Sequence, residues 1–295
     1  MGAIDEFKSE IILTDRGQDI TNGLAYEKHD CDVQYFSKNR IAKLLKSPQH
    51  YEWQYIYGHQ DPDTASKKLG NLTDWALLQP KEFKRRYVIK PAFKGKGART
   101  AAKDWLKALP NDALIMDEKE AQKITDMITA LHRKPEAVKL LSNGIPHVHM
   151  YYRDTEFALN DGSGVLWYGI LDFLRVGGWI VEVKTTKNAE WWAFERDAYE
   201  YKYHVQTYLY KRGMEGITKQ NLKVAIIAIE NKPPYCVEIY FPTVDWYETA
   251  YNDIGTALRK YNKCMETGIW YGYNETPKQL GIPAFARFRM EDEYE

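Results

Sequence analysis

Apolar residues follow two different periods along this chain, and the change of period separates helical from extended regions. A spacing of three or four residues predicts helices, whereas alternating or continuous apolar runs predict strands. No linker-like break interrupts these elements, so we expect a single α/β domain over residues 31–295, preceded by a polar, partly extended stretch over 1–30. Helices are predicted over 37–47, 65–78, 117–141, 188–213 and 243–267, and strands over 145–185 and 222–242.

The segment GILDFLRVGGWIVEVKTT, residues 169–186, predicts a β-hairpin with Gly177-Gly178 in its turn. A turn of two residues would place the acidic side chains on opposite faces. A turn of three residues sets Asp172 directly opposite Glu182, with Lys184 on the same face. We prefer the three-residue turn, because hydrophobic patterning determines strand register and this register gathers one apolar face. The expected apolar face consists of Leu171, Phe173, Val181 and Val183.

The preferred register has an electrostatic consequence. Asp172 and Glu182 become cross-strand neighbours, about 5 Å apart at their Cβ atoms, where like charges repel each other. A divalent cation such as Mg²⁺, which binds carboxylate oxygens, would offset that repulsion. The alternative interpretation is a half-exposed hairpin whose charged side chains are all solvated.

Composition and charge narrow the classes of protein. The chain has 295 residues, 44% of them hydrophobic, and a formal net charge of zero. Binding to nucleic acid would therefore need a local basic surface. Cys31, Cys236 and Cys264 are isolated from one another, which argues against a zinc knuckle and against a four-thiolate iron–sulfur cluster. The few cysteines, the lack of a signal-peptide pattern and the lack of an apolar run near ~18 residues predict a cytoplasmic protein without a membrane partner.

One local basic surface is indicated by residues 81–107, which contain ten basic and two acidic side chains. Within this stretch FKGKGART predicts a flexible loop. Its Lys94, Lys96 and Arg99 are candidates for contact with the phosphates of DNA. The alternative is an ordinary solvated face.

A second candidate for phosphate binding is the start of the first predicted helix. Ser37 is its expected N-cap, and the unpaired N–H groups at a helix N-terminus attract anions. Together with Lys38 and Arg40, it could hold the terminal 5′-phosphate of a DNA strand. Alternatively, Ser37 only caps the helix and both cations face solvent.

Gln206 and Tyr210 lie four residues apart and so share one helix face. Together with Asp172 and the Glu182-x-Lys184 sequence, they resemble the pattern of the PD-(D/E)XK nuclease superfamily in its RecB-type branch. Four longer segments resemble the RecE-like exodeoxyribonucleases, the exonuclease VIII family, so the similarity covers roughly residues 33–288. These segments are YFSKNRIAKLLKSPQHYEW, LGNLTDWALLQPKEF, IAIENKPPYCVEIY and TGIWYGY.

The resemblance implies a fold and a catalytic site. The implied fold is a central mixed β-sheet flanked by helices, with an N-terminal helical elaboration. The implied cofactor is Mg²⁺, for which Mn²⁺ would substitute. Lys184 would orient or help to deprotonate the attacking water, while Gln206 and Tyr210 would border the site. The implied metal ligands are Asp74, Asp172, Glu182 and the backbone carbonyl of Val183.

The resemblance also implies a substrate and partners. The substrate would be a linear double-stranded DNA end, degraded from 5′ to 3′ to leave a 3′ single-stranded overhang for recombination by strand annealing. The implied partners are a single-strand annealing protein and further copies of the chain in a ring-shaped oligomer. The implied origin is bacterial or bacteriophage-derived.

Two features depart from the family's pattern. Asp74 stands where the family usually has a metal-binding histidine. A carboxylate suits a hard cation, although Asp74 could instead be an ordinary acid on a helix surface. His147 and His149 stand where the family often has an acidic residue. They could ligate a metal, but we interpret them as a pair of partly buried structural histidines.

Other functions stay open at this point. An endonuclease, or an exonuclease of different polarity, would use the same residues. A catalytically weak DNA-binding relative is disfavoured, because such a protein would be expected to lose Asp172, Glu182 or Lys184. A structural interaction protein has only the 22 tyrosines and nine tryptophans in its favour.

Overall fold

The main feature of the fold is a mixed β-sheet with helices on both of its faces, as predicted. The structure is a computed structural model that describes residues 9–14, 35–273 and 276–282. Cys31, the remainder of the N-terminal stretch and the end of the region of similarity, 283–288, lie outside the described residues.

The described residues form eight strands: β1 (Ser9–Thr14), β2 (Tyr87–Ile89), β3 (Leu114–Met116), β4 (Gly144–Ala158), β5 (Gly164–Arg175), β6 (Trp179–Thr186), β7 (Lys223–Glu230) and β8 (Val237–Tyr240). Six of them make the central sheet in the order β1-β4-β5-β6-β7-β8. Strands β6 and β7 run parallel, and the other neighbours in this sheet are antiparallel. Strands β2 and β3 form a separate parallel pair.

The described residues also form ten α-helices: α1 (Lys38–Lys46), α2 (Pro48–Tyr51), α3 (Ala65–Leu78), α4 (Pro80–Arg86), α5 (Ala98–Ala108), α6 (Glu118–His132), α7 (Pro135–Leu140), α8 (Trp191–Glu200), α9 (Tyr203–Thr218) and α10 (Val244–Thr267). A π-helical turn, Glu52–Ile56, follows α2. Over the ranges given above, each helix is too short or too polar to cross a bilayer.

Two helical layers cover the sheet. Helices α1, α9 and α10 pack over one face, where the core includes Met150 and Leu209. Helices α3, α6 and α7 pack over the other face, where the core includes Val181 and Ile227. Parallel strands need a crossover connection, and α8 and α9 provide it between β6 and β7. This connection places α9 directly against the hairpin of β5 and β6.

Two of the predicted helices are each divided into two. Residues 117–141 form α6 and α7, because Pro135 lacks the N–H that a continuous helix needs and instead begins α7. Residues 188–213 form α8 and α9, which are separated by Lys202 in the left-handed region at φ 59°. Helix α9 then continues beyond the predicted end to Thr218. By contrast, α3 has the predicted bounds, and Pro80 begins the next helix.

The predicted register of the β5–β6 hairpin is confirmed. Phe173 pairs with Val181, and Arg175 pairs with Trp179, so the turn between the strands has three residues, 176–178. Gly177 and Gly178 have φ values of 93° and 83°. Glycine adopts this left-handed conformation without the clash that a Cβ atom would make.

The prediction of the apolar face is wrong for Leu171. Phe173, Val181 and Val183 share one core cluster, whereas Leu171 lies in the cluster on the opposite face. The pairing of β4 with β5 passes from Val148–Leu171 to Pro146–Phe173 and omits His147 and Asp172. His147 has φ 49°, and side chains change face at this irregularity, so strict alternation does not hold through Asp172.

Candidate active site

Strands β5 and β6 separate immediately beyond the Phe173–Val181 pair. Hydrogen bonds from backbone N–H groups to side chains replace the bonds between the two backbones there. The N–H of Val183 donates to Oδ2 of Asp172 over 2.7 Å. The N–H of Asp172 donates to Oε1 of Glu182 over 3.3 Å. The two carboxylates therefore converge at the opening between the strands, as the three-residue turn predicted.

Lys184 and Gln206 complete this cluster. The ammonium of Lys184 lies 2.8 Å from Oε2 of Glu182 and 3.3 Å from Oδ2 of Asp172. Nε2 of Gln206, on α9, donates to Oε2 of Glu182 over 2.7 Å and to the hydroxyl of Tyr210 over 3.2 Å. The structure thus brings together all five residues that the sequence indicated as catalytic. We refer to Asp172, Glu182, Lys184, Gln206 and Tyr210 as the catalytic cluster.

Burial and the closeness of two carboxylates shift the pKa values of this cluster. Glu182 is fully buried, and burial together with the neighbouring Asp172 raises its pKa to about 8. Burial opposes the charge on Lys184, but Asp172 and Glu182 outweigh burial and hold the pKa of Lys184 well above its usual value. Lys184 therefore stays protonated, while Glu182 resists ionisation as long as no further cation lies beside it.

Asp74 adds a third carboxylate from helix α3. Its Oδ2 accepts a hydrogen bond from Nε2 of His147 over 2.5 Å, and Nδ1 of His147 accepts one from Gln79 over 2.8 Å. Burial and the proximity of Asp172 raise the pKa of Asp74, against the lowering effect of His147. Its Oδ1 is buried and has no hydrogen-bond partner among the described residues. Asp74 is therefore not an ordinary surface acid.

These groups fit a hard divalent cation. Asp74 offers an unpartnered buried oxygen, and Asp172 and Glu182 offer further carboxylate oxygens, which are the ligands that Mg²⁺ prefers. The N–H and C=O of one strand residue point to the same edge, so the carbonyl of Val183 faces the same side as its N–H, towards Asp172. Within the described ranges, no three His, Cys, Asp or Glu side chains already stand in coordinating geometry. Lys184 instead bridges two of the carboxylates.

The structure separates Arg40 from the other two residues predicted to hold a terminal phosphate. Ser37 is the N-cap of α1 and makes no side-chain capping bond, and Lys38 lies beside the catalytic cluster. Burial and Lys184 lower the pKa of Lys38 to about 8. Arg40 donates to the hydroxyl of Tyr51 over 2.8 Å, and its guanidinium lies 4.5 Å from the ring centre of Tyr55. Residues two apart on a helix point in nearly opposite directions, so Arg40 is turned away from Lys38.

The basic candidates farther along the chain lie on an exposed segment. Lys94 and Lys96 are in the loop before α5, and Arg99 is in the first turn of that helix. In the described part of the chain, these three side chains form no ion pair, and none is hydrogen-bonded to the catalytic cluster. Arg85 and Arg86, from the same basic stretch, differ from them because both pair with Asp112.

Two features of the site were not found by sequence reasoning. Tyr203 lies with its ring centre 5.4 Å from the ammonium of Lys184; its position three residues before Gln206, on the same helix face, is a signal that could have indicated it. The contact of His147 with Asp74 was also missed. The two histidines do not act as a pair, since His149 lies 3.2 Å from the hydroxyl of Tyr168.

Comparisons with known proteins bear on the family and on the fold. The family model described as the PDDEXK-like domain of unknown function (DUF3799) matches residues 37–278. A solved structure from Eubacterium rectale, provisionally described as an exonuclease, superposes with a TM-score of 0.56 at 14% identity, covering 82% of this chain and 88% of that chain. At that identity the likeness shows the fold alone.

Two further comparisons add nothing to the assignment. A structure described as SSO0001 aligns with a TM-score of 0.30 at 12% identity, over 79% of this chain and 87% of that chain, and carries no argument. No curated protein sequence matches the chain.

The family match is different in kind, because it spans most of the chain and includes the whole catalytic cluster. The chain therefore belongs to the PDDEXK-like family.

Proposed function

We propose that this protein is a nuclease that requires a divalent metal and degrades linear double-stranded DNA from its ends. The observation that carries the proposal is the cluster at the opening between β5 and β6. There Asp172 and Glu182 converge, Lys184 bridges them, and Gln206 holds Glu182 in place. The family match and the fold shared with a provisionally described exonuclease support the same conclusion.

In this proposal, one group of residues binds the metal ion and Lys184 acts on the attacking water and the phosphate. A bound Mg²⁺ or Mn²⁺, held by Asp74, Asp172, Glu182 and the carbonyl of Val183, would supply a water of lowered pKa and neutralise phosphate charge. Lys184 carries a proton and therefore donates hydrogen bonds. It would orient the attacking water and stabilise the negative charge that develops on the phosphate.

Gln206 and Tyr210 have a supporting role in this proposal. Gln206 uses one amide nitrogen to fix both Glu182 and the hydroxyl of Tyr210. Tyr210 is buried, and its ring would clash with any Cβ atom at position 169, so Gly169 allows it to approach β5. The pair thus locks Glu182 in one orientation before substrate binds, which lowers the cost of organising the site.

The direction of degradation is a finer part of the proposal. The resemblance to RecE-like exonucleases favours 5′ to 3′ degradation, with a 3′ overhang as the product, a ring-shaped oligomer and a single-strand annealing partner. Lys38 supports this direction, because its ammonium lies beside the catalytic cluster and, with Ser37 at the N-terminus of α1, could hold a 5′-phosphate.

A comparison of linear and closed circular duplex DNA tests the proposed function. Each substrate is incubated with the protein and Mg²⁺, with the protein and a chelator, and with Lys184→Ala and Mg²⁺. We expect loss of linear DNA only, and only for the unmodified protein with Mg²⁺. Loss of the circular DNA as well would assign an endonuclease. Survival of both substrates would overturn the assignment of nuclease activity.

A further inference from the structure

An aromatic surface leads outward from the catalytic cluster. The ring of Tyr203 lies close to two cationic side chains, with its centre 5.4 Å from Nζ of Lys184 and 5.5 Å from Nζ of Lys38. The ring of Tyr201 is the next one, with its centre 5.9 Å from that of Tyr203 and an interplanar angle of 31°. Tyr201 is 59% exposed. One ring therefore connects the catalytic ammonium to an aromatic face that is open to solvent.

The backbone at Lys202 brings these two rings together. In a continuous helix, residues two apart would point in nearly opposite directions. Here Lys202 interrupts the helix in the left-handed region, a conformation that residues other than glycine rarely adopt. Its own ammonium points to Asp253, 3.4 Å away. Unusual backbone at such a position is a reason to look for a function, and its effect here is to set Tyr201 beside Tyr203.

The combination of charges and rings identifies the class of ligand. Proteins that bind single-stranded nucleic acid place cations along the phosphates and aromatic rings against the bases. Lys38 and Lys184 supply the cations, and Tyr201 supplies a free aromatic face in continuity with them. Every base has such a face, so this contact would be tolerant of sequence.

We propose that Tyr201 and Tyr203 form a stacking site for a nucleobase next to the phosphate at Lys184. This inference rests on the proposed function and deepens it. A base can lie on Tyr201 only after it has left its complementary strand. This site therefore binds an unpaired terminal nucleotide, and the last base pair of a duplex end must open before its base can stack here.

Binding measurements with matched variants test this site. The unmodified protein, Tyr201→Ala and Tyr201→Phe are titrated with a duplex that has unpaired terminal nucleotides, with Ca²⁺ in place of Mg²⁺ and with recovery of intact DNA checked. We expect Tyr201→Ala to weaken binding by about 5- to 100-fold and Tyr201→Phe to leave it nearly unchanged. A fully paired blunt duplex should be affected less.

The control variant is Phe241→Ala, which removes an aromatic side chain of similar exposure, 60%, that packs beside Trp179. Trp179 is five residues before Lys184 on β6, which places Phe241 near the far end of that strand. The control should bind like the unmodified protein. Equal weakening in Tyr201→Ala and Phe241→Ala would overturn the stacking site.

Photocrosslinking locates the base independently of affinity. A 5-iodouracil base is placed at the unpaired terminal position, and the crosslinked protein is digested with trypsin. Cleavage after Lys202 separates Tyr201 from Tyr203, so the peptides 197–202 and 203–211 distinguish the two rings. We expect the crosslink in one of these peptides. A crosslink outside these two peptides, together with an unchanged affinity of Tyr201→Ala for DNA, would refute the stacking site alone. Failure of the unmodified protein to bind or cut DNA would refute the proposed function.

Discussion

Nε2 of His147, on strand β4, donates a hydrogen bond to Oδ2 of Asp74, on helix α3, over 2.5 Å. Gln79 holds the opposite ring nitrogen, so both nitrogens of the imidazole are engaged. His147 has φ 49° and lies where β4 and β5 omit one pair, directly beside Asp172. The histidine therefore orients the Asp74 carboxylate at the point where Asp172 of β5 contributes its carboxylate to the site.

Replacement of His147 should weaken metal binding without removing a metal ligand. His147→Ala would release Asp74 from its fixed orientation, and loss of such an orienting partner typically costs about 10- to 100-fold in metal affinity. Calorimetric titration with Mn²⁺ measures the effect. His149→Ala is the matched control, because His149 contacts Tyr168 and should leave Mn²⁺ affinity unchanged. Equal affinities of His147→Ala and the unmodified protein would contradict this role.

The effect of replacing Asp74 should depend on which residue stands at position 147. Asp74→Ala should weaken Mn²⁺ affinity and lower cleavage, since it removes a carboxylate from the site. Asp74→His would face His147 with a second imidazole and should retain only part of the activity. The exchanged variant, Asp74→His with His147→Asp, restores one carboxylate and one imidazole and should be more active than Asp74→His alone. A double-mutant cycle measures this coupling, and strict additivity would show that the two positions act independently.

Lys184→Ala should abolish cleavage, with a loss of at least about 10²-fold in rate, and leave DNA binding nearly intact. The variant also leaves Asp172 and Glu182 adjacent without a bridging cation. We therefore expect its melting temperature to fall in the presence of a chelator and to rise with Mg²⁺ by more than that of the unmodified protein. Thermal denaturation and single-turnover cleavage measure the two effects. Cleavage at the unmodified rate would remove Lys184 from the mechanism.

Lys38 and Arg40 should differ in their effect on DNA ends. Lys38 lies beside the catalytic cluster, so Lys38→Ala should reduce the preference for 5′-phosphorylated over 5′-hydroxyl ends. Arg40 contacts Tyr51 and Tyr55, so Arg40→Ala should lower thermal stability and leave the end preference in place. Digestion rates on the two end types measure the preference. If the unmodified protein digests both equally, the N-terminus of α1 does not bind the end.

The exposed basic loop should contribute affinity that depends on salt. Each phosphate contact that is lost reduces the slope of log K against log salt concentration by about 0.9. Replacement of Lys94, Lys96 and Arg99 by alanine should therefore flatten the slope for duplexes of any sequence. Arg85→Ala is the control, since Arg85 already pairs with Glu82 and Asp112. An unchanged slope in the triple variant would show that these three side chains do not contact the phosphates of DNA.

The sequence by itself determined the elements whose signals are local. Alternation of apolar residues and the glycine turn set the β5–β6 register, and with it the contact of Asp172 with Glu182 and Lys184. The bounds of α3 followed from its apolar spacing and from Pro80. Gln206 and Tyr210 share a face because four residues are about one helical turn. These relations span few residues, so local periodicity was sufficient to predict them.

Only the tertiary structure decided the relations between distant segments. Asp74 and His147 are 73 positions apart, and no periodic pattern links a helix residue to a strand residue over that distance. Leu171 changed face because the neighbouring strand is irregular at His147, a property of β4 that the hairpin sequence does not contain. Helix geometry turns Lys38 and Arg40 apart, but packing decided which of them faces the cluster, since aromatic side chains from α2 and the following turn bind the Arg40 guanidinium. Packing between elements selects one of several locally acceptable arrangements, and that selection depends on contacts that the local sequence does not encode.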